Sequence, residues 1–349
     1  MTSSIRIGER IIGPGEPVLI IAEAGINHNG QLEKALELVE VAAEAGADAV
    51  KFQLYRPEEQ VSRVAQTADY QRERTGAGGM LEMALSYELP WEAHHEIAAR
   101  CRERRIAYMS SCFDQLAVDF LVRLGGDCIK VGSGEITNYP LLAHMARTGL
   151  PILLSTGMST LSDVAGAVEH IRASGPSPVA LFQCVSDYPT DPATVNLRAM
   201  ETMRRAFDVA VGFSDHTVGE TAAVAAVALG ACMLEKHFTL DKRLPGPDHA
   251  MSLDPVELRS YVRAIRTAES TLGDGIKRPV ETELKTMLAA RRSLVSARAI
   301  RAGEALDEAN VTLKRPATGI DPREWANARG RKAARAIPAD VPITWEMLA

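Results

Sequence analysis

Up to Leu272, hydrophobic positions fall into two alternating patterns. One is a short, nearly unbroken apolar run, found at Val18–Ala24, Ala47–Gln53, Ile106–Ser111, Cys128–Gly132, Pro151–Thr156, Val179–Cys184, Val209–Ser214 and Ala231–His237. Such runs, without period-two alternation, suit parallel strands buried on both faces. The other pattern is rich in Ala, Leu and Glu, with apolar residues at i, i+3 and i+4. It predicts helices at Leu32–Glu44, Trp91–Arg105, Leu141–Arg147, Leu161–Ala173, Leu197–Ala206 and Thr221–Leu229. Ser162 and Asp163 stand early in one of these helices, and Gly46, Gly149 and Gly230 follow others, as start and stop signals should. Eight strand–helix repeats of this size predict a closed (β/α)8 TIM barrel over residues 1–272. A doubly wound open sheet is the rival, because closure leaves no mark on a sequence.

After Leu272 the pattern changes. Gly273-Asp274-Gly275 and Pro279 mark a linker, and Glu281–Ala290 reads as a helix, so residues 273–290 are expected to lead into a second domain at 291–349. That tail has strand-like pieces at Leu294–Ala297 and Val311–Lys314, an Ala-Gly-Glu turn at 302–304, and Pro316, Pro322, Pro338 and Pro342, which predict a small β-rich fold. It is also locally basic, from Arg291 to Arg335. This is either a solvated face with weak affinity for nucleic acid or a cation offered to an anionic ligand.

Composition narrows the classes. The 349 residues carry 45 acidic and 39 basic side chains, a net charge of −6, which argues against a nucleic-acid partner. Apolar stretches such as Thr221–Leu234 are interrupted by Gly and polar residues and fall short of the roughly 20 that span a bilayer, so no membrane partner is expected. Met1–Gly8 has no apolar core, so no secretory signal is expected. Five cysteines without CxxC spacing predict reduced thiols in a cytoplasmic protein.

In a barrel of this kind the chemistry sits where the strands end, and these ends are polar. They carry Glu23, Lys51 with Gln53, Ser111, Lys130 through Ser133 to Glu135, Ser155, Cys184 through Ser186 to Tyr188, Ser214 with His216, and His237, followed by Asp248 in the last loop. A closed barrel would bring them to one mouth. Alone, Lys51 and Lys130 read as snorkelling surface lysines. Beside Ser111, Ser133, Ser155 and Ser214 they predict a cradle for phosphate and carboxylate groups. His216 and His237 are 237 − 216 = 21 residues apart, at the ends of adjacent strands about 4.8 Å from each other. Spacing alone leaves open a shared cation such as Mn²⁺, an acid–base pair, or buried hydrogen-bonded histidines. Glu23, Glu135 and Asp248 are candidate acid–base or hydroxyl-binding groups. Cys184 reads as a small buried residue more than as a nucleophile.

Several ordered segments resemble the sialic acid (nonulosonic acid) synthase family over nearly the whole chain. They include Ala22–Gly30, Val50–Gln53, Lys130–Glu135, Asn138–Leu141, Leu154–Met158, Gly212–Thr217, Ala228–Ala231, Glu235–Thr239, Pro245–Asp248 and Lys314–Gly319. Ser214-Asp215-His216-Thr217 and Pro245-Gly246-Pro247-Asp248 are the distinctive ones. The resemblance implies a barrel followed by an antifreeze-protein-like (SAF) domain, in a domain-swapped homodimer where Arg315 reaches the sugar in the other subunit's site. It implies condensation of phosphoenolpyruvate with an open-chain N-acylated mannose-type sugar and water, with release of phosphate. His216 and His237 would hold a divalent cation, Mn²⁺ before Mg²⁺ or Co²⁺. Lys51, Lys130, Ser111, Ser133, Ser155, Ser186 and Ser214 would hold phosphoenolpyruvate. Glu23, Gln53, Tyr188 and Asp248 would meet the sugar, and Glu23, Lys51, Lys130 and Glu135 would be catalytic, with Glu135 handling a proton near the transferred carbon.

There are departures. Ser186 stands where members acting on N-acetylmannosamine tend to have Asn. Ser111 replaces a threonine, keeping the hydroxyl but losing rotamer stiffness. The segment Thr67–Gly76 resembles the subgroup that makes legionaminic acid, so 2,4-diacetamido-2,4,6-trideoxymannose is the expected acceptor, with N-acetylmannosamine as the alternative. Another phosphoenolpyruvate-dependent 3-deoxy sugar acid synthase would not account for Lys314-Arg315-Pro316. A carbohydrate-binding protein on a dead barrel would not need Lys51, Lys130, His216 and His237 together.

Overall fold

The computed structural model of the chain describes residues 4–67, 72 and 79–349, and divides into two compact units, Met1–Gly273 and Asp274–Ala349. Apart from Thr67 and Arg72, the segment 67–76 singled out in the sequence lies outside the described residues.

The first unit opens with an antiparallel hairpin, β1 (Ile5–Ile7) and β2 (Arg10–Ile12). Eight parallel strands follow: β3 (Leu19–Gly25), β4 (Ala49–Leu54), β5 (Ala107–Cys112), β6 (Ile129–Val131), β7 (Ile152–Ser155), β8 (Val179–Cys184), β9 (Val211–Asp215) and β10 (Met233–His237). They pair in chain order, and β10 returns to β3, so the sheet is a closed barrel and not the open alternative.

The pleat sorts the apolar runs into two cores. Outward residues such as Ile20, Ala22, Val50, Phe52, Leu154 and Leu234 pack under the surrounding helices. Inward residues such as Leu19, Ile21, Ala49, Met109, Leu153 and Phe182 fill the lower barrel. Ile5, Ile7 and Ile12 of the hairpin join the inner cluster, so the hairpin plugs the end at which the strands begin. No element was expected there.

The six predicted helices appear at Leu32–Ala45, Ala93–Arg104, Tyr139–Arg147, Leu161–Ser174, Ala199–Phe207 and Thr221–Ala228. Two more, Gln115–Leu124 and Pro255–Leu272, complete the ring and were not read from the apolar spacing. The spacing is present, with Leu258, Tyr261, Val262 and Ile265 buried at i, i+3, i+4 and i+7 in the second, and caps add a local signal. Asp114 accepts from the Ala117 amide at 2.7 Å, and Asp254 and Glu257 form a capping box ahead of the longer helix.

In the second unit β11 (Ser293–Ser296) pairs antiparallel with β12 (Val311–Lys314). Leu294, Ile300, Leu306, Ile320, Ile337 and Ile343 form its core. The helix Glu281–Ala290 groups with this unit and buries none of its residues.

Gly212 shows how tightly the barrel floor is filled. A Cβ there would lie 2.6 Å from the Met233 carbonyl oxygen and 3.0 Å from the Phe182 ring. Gly212→Ala is therefore expected to lower stability by about 1–3 kcal/mol through overpacking. An unchanged denaturation midpoint would show that the floor has slack.

Candidate active site

Polar side chains begin one pleat above the apolar floor. Inward positions run Leu19, Ile21, Glu23 on β3; Ala49, Lys51, Gln53 on β4; and Met233, Glu235, His237 on β10. With Ser111, Lys130, Ser155 and Ser214 they line one cavity of about 480 Å³ at the C-terminal ends of the strands.

Its base is a buried quartet of charges. Lys51 Nζ lies 2.7 Å from Glu23 and 3.7 Å from Glu235, and donates to Ser111 Oγ at 2.8 Å. Lys130 Nζ lies 3.6 Å from Glu235 and donates to Ser155 Oγ at 2.7 Å, over the Phe182 ring. Ser214 Oγ donates to Glu235 at 3.2 Å. All four charged groups are at most 5% exposed, so neither lysine snorkels.

Burial penalises every charge here, and the neighbours decide which survive. Burial pushes the Glu23 carboxyl up to about 7, with Lys51 only partly compensating and Glu235 repelling. Glu235 feels the same burial, but Lys130, Lys51 and His216 hold it below the ordinary carboxylate value. For Lys51 burial is outweighed by Glu23 and Glu235, and its ammonium is held up. Lys130 is drawn down by burial, more than Glu235 restores, and Lys51 repels it further.

At the rim the His216 and His237 rings have centroids 5.5 Å apart, and Tyr188 stands 4.1 Å from the His216 ring. His216 Nδ1 lies 2.7 Å from the Val185 carbonyl, which orients the imidazole with Nδ1–H inward and the Nε2 lone pair outward. His237 Nδ1 is buried and, among the described residues, has no hydrogen-bond partner; it lies 4.0 Å from Asp248 Oδ2. Burial and the neighbouring His216 cation drive His237 well below its ordinary value. His216 moves up despite burial, held by Cys184 and the Val185 carbonyl. His237, which resists a second proton, offers a nitrogen lone pair beside His216 and the Asp248 carboxylate, a donor set that suits a divalent cation chemically. Among the described residues no group of three or more His, Cys, Asp or Glu side chains forms a ready metal site. A cation here would therefore take further ligands from water or substrate.

Glu23, Lys51, Gln53, Ser111, Lys130, Ser133, Ser155, Ser186, Tyr188, Ser214, His216, His237 and Asp248 all line the cavity. Glu135 directly follows the lining residues Gly132, Ser133 and Gly134 and is not itself among them. It sits in the single 3-10 turn Ser133–Glu135, whose advance of about 120° per residue turns it away from the direction of Ser133. Its carboxylate accepts from Asn138 Nδ2 at 2.7 Å, and Asn138 in turn caps the helix Tyr139–Arg147. Arg315 is exposed in the second unit, next to Lys314, which pairs with Asp340 at 2.5 Å.

Sequence reasoning gave Glu235 no role. The signal was available, since a strand that turns His237 inward must turn the residue two positions earlier the same way. Cys184 is buried as expected, yet it is polar in effect. Its thiol lies 3.9 Å from His216 Nδ1 and 3.7 Å from Ser133 Oγ, and these contacts, with Lys130, hold its pKa down against burial. Asn27 and Asn29 stay out of the cavity. Asn27 Nδ2 donates to the Phe238 carbonyl at 2.7 Å and to Ser252 at 3.0 Å, and Asn29 Nδ2 to the Pro245 carbonyl at 2.9 Å. They brace the loop that carries Asp248. Tyr55, Val61, Met80, Met83 and Phe113 give the cavity an apolar outer wall.

Comparison with known proteins agrees with this architecture. N,N'-diacetyllegionaminic acid synthase of Legionella pneumophila is 41% identical over 339 residues, covering 96% of this chain and 95% of that one. The Campylobacter jejuni protein of the same name is 42% identical over 325 residues, covering 92% and 97%. The crystal structure of spore coat polysaccharide biosynthesis protein SpsE from Bacillus subtilis is similar with a TM-score of 0.69 at 35% identity, covering 99% of each chain. Among the described residues no helix is long and apolar enough to cross a membrane. Residues 38–277 match the NeuB family and residues 291–349 the SAF domain, so the chain belongs to the NeuB family and ends in a SAF domain.

Proposed function

We propose that this chain is a cytoplasmic nonulosonic acid synthase. It condenses phosphoenolpyruvate with an open-chain N-acylated mannose-type sugar and water and releases phosphate, with 2,4-diacetamido-2,4,6-trideoxymannose as the acceptor. The observation that carries this reading is the buried Lys51/Lys130 pair, set among serine hydroxyls directly beneath two imidazoles in one cavity. Similarity to two legionaminic acid synthases supports the class and the acceptor. The apolar outer wall suits a 6-methyl group better than a hydroxyl.

Lys51, Lys130, Ser111, Ser133, Ser155, Ser186 and Ser214 bind the phosphate and carboxylate of phosphoenolpyruvate. The quartet is formally neutral before substrate arrives, so an incoming anion favours protonation of the nearest carboxylate with an accessible pKa. That group is Glu23, and protonating it releases Lys51 from its ion pair to meet the phosphate. Glu235 stays ionised and keeps both lysines charged. Gln53, Tyr188 and Asp248 orient the sugar. Carbon 3 of phosphoenolpyruvate attacks the aldehyde carbon, and the aldehyde oxygen gains a proton. Water adds at carbon 2, where positive charge develops, losing a proton, and phosphate leaves by C–O cleavage. Glu23, with a pKa near the working pH, handles a proton here, and Glu135 handles the one near the transferred carbon. His216 and His237 would hold a divalent cation, with Mn²⁺ favoured, and a bound cation would supply Lewis-acid polarisation of the aldehyde. Arg315 of a second subunit completing the sugar site belongs to this reading.

Three outcomes are expected. Single His216→Ala and His237→Ala variants lose more turnover than the roughly 100-fold that outer partners of a ligand control; near-normal phosphate release in both would remove the metal assignment. The acid form of Glu23 is lost as pH rises through about 7, so activity declines along that limb and Glu23→Gln abolishes the limb; a wild-type profile flat through pH 7 would exclude Glu23 from proton handling. With phosphoenolpyruvate and Mn²⁺, kcat/KM is higher for 2,4-diacetamido-2,4,6-trideoxymannose than for N-acetylmannosamine, as read from product masses and rates; the reverse preference would overturn the acceptor.

A further inference from the structure

The two histidines are each preceded by a charged residue, Asp215 and Lys236, and the β9–β10 register makes these direct cross-strand partners. Two rungs of this ladder, and the residues that follow them, therefore alternate. Ser214 and Glu235 face inward, Asp215 and Lys236 face outward, and His216 and His237 face inward again at the mouth. The outward pair is an ion pair, with Asp215 Oδ2 3.1 Å from Lys236 Nζ. Other outward positions of the barrel strands are uncharged, as at Ile20, Val50, Val131, Leu181, Phe213 and Leu234. Asp215 is 0% and Lys236 2% exposed. Desolvation makes such a pair a poorer wall than two packed apolar residues, so wall stability does not account for it.

What the pair does is hold the chain on either side of an imidazole. Asp215 Oδ1 accepts from the Thr217 amide at 2.9 Å and from Thr217 Oγ1 at 2.7 Å, while Lys236 donates to the Thr217 carbonyl. Tyr261, on the helix Pro255–Leu272, donates its hydroxyl to Asp215 Oδ2 at 3.3 Å. The backbone on both sides of His216 is thus tied to the residue that precedes His237. We propose that Asp215 and Lys236 are positioning residues whose ion pair, behind the barrel wall, sets the separation of His216 and His237 and with it their affinity for a divalent cation. This rests on the reading that the two imidazoles hold the cation.

The test is Mn²⁺ binding to the full chain by titration calorimetry for Asp215→Asn, Lys236→Met and the double variant. The thermal midpoint without metal and the binding of inorganic phosphate are measured in parallel. All three variants are expected to bind Mn²⁺ about tenfold to 100-fold more weakly, the range that outer partners of metal ligands command, with phosphate binding unchanged. The double variant leaves no buried charge without its partner, so it regains the wild-type midpoint but not the affinity. Wild-type Mn²⁺ affinity in the double variant would overturn the proposal and leave the pair a structural feature. His216→Ala separates the two levels. Loss of Mn²⁺ binding in it upholds the cation site, whereas wild-type binding there would overturn the metal reading and this inference with it.

Discussion

Two lysines and two glutamates share the closed interior of one barrel, and their mutual neutralisation is the constraint on which the site depends. Losing one partner of a buried ion pair costs about 3–5 kcal/mol, a large part of the roughly 5–15 kcal/mol that holds a domain together. Each of these charges is therefore tolerated only because an opposite charge stands within 2.7–3.6 Å of it. The same closeness separates their protonation states. Glu235 touches both lysines and stays ionised, whereas Glu23 pairs with one of them and lies near neutrality. Under the proposed function, such a pocket keeps its positive charge ready for a polyanion and discharges one carboxylate to expose it.

The surrounding structure serves that arrangement in two layers. Inward rungs carry the groups that meet a ligand. Polar residues one step off those rungs brace the backbone, as Asp215 does for the turn after His216, Asn27 and Asn29 for the loop with Asp248, and Glu135 through Asn138 for the helix after β6. Below, Phe182 and Met233 crowd against Gly212 and shut the floor, with the N-terminal hairpin packed underneath. The quartet is thus buried above an apolar floor, which keeps its electrostatics strong.

Much of this is legible in the sequence. All eight strands and six of the eight outer helices follow from apolar runs and helical spacing. The missing helices, Gln115–Leu124 and Pro255–Leu272, carried both signals, a cap at the start and an apolar stripe such as Leu258, Tyr261, Val262 and Ile265 at i, i+3, i+4 and i+7. Residues at strand ends were good candidates because a strand end in a barrel has one place to point. Glu135 lies past the strand, in a turn whose rotation a linear reading does not follow. Glu235 was passed over because it looked like one more residue inside a buried run.

The sequence alone determined the repeat of strands and helices and the polar termini of the strands, since both are local properties of spacing and composition. It also carried the order of motifs that marks the family. Tertiary structure decided closure, and with closure which side chains face one another across the barrel. Lys51 and Glu235, separated by most of the chain, became a 3.7 Å contact only when β10 returned to β3. Charge pairing, shifted protonation and the 5.5 Å approach of two imidazoles are properties of distance in space, and no run of residues along the chain encodes a distance until the ring is shut.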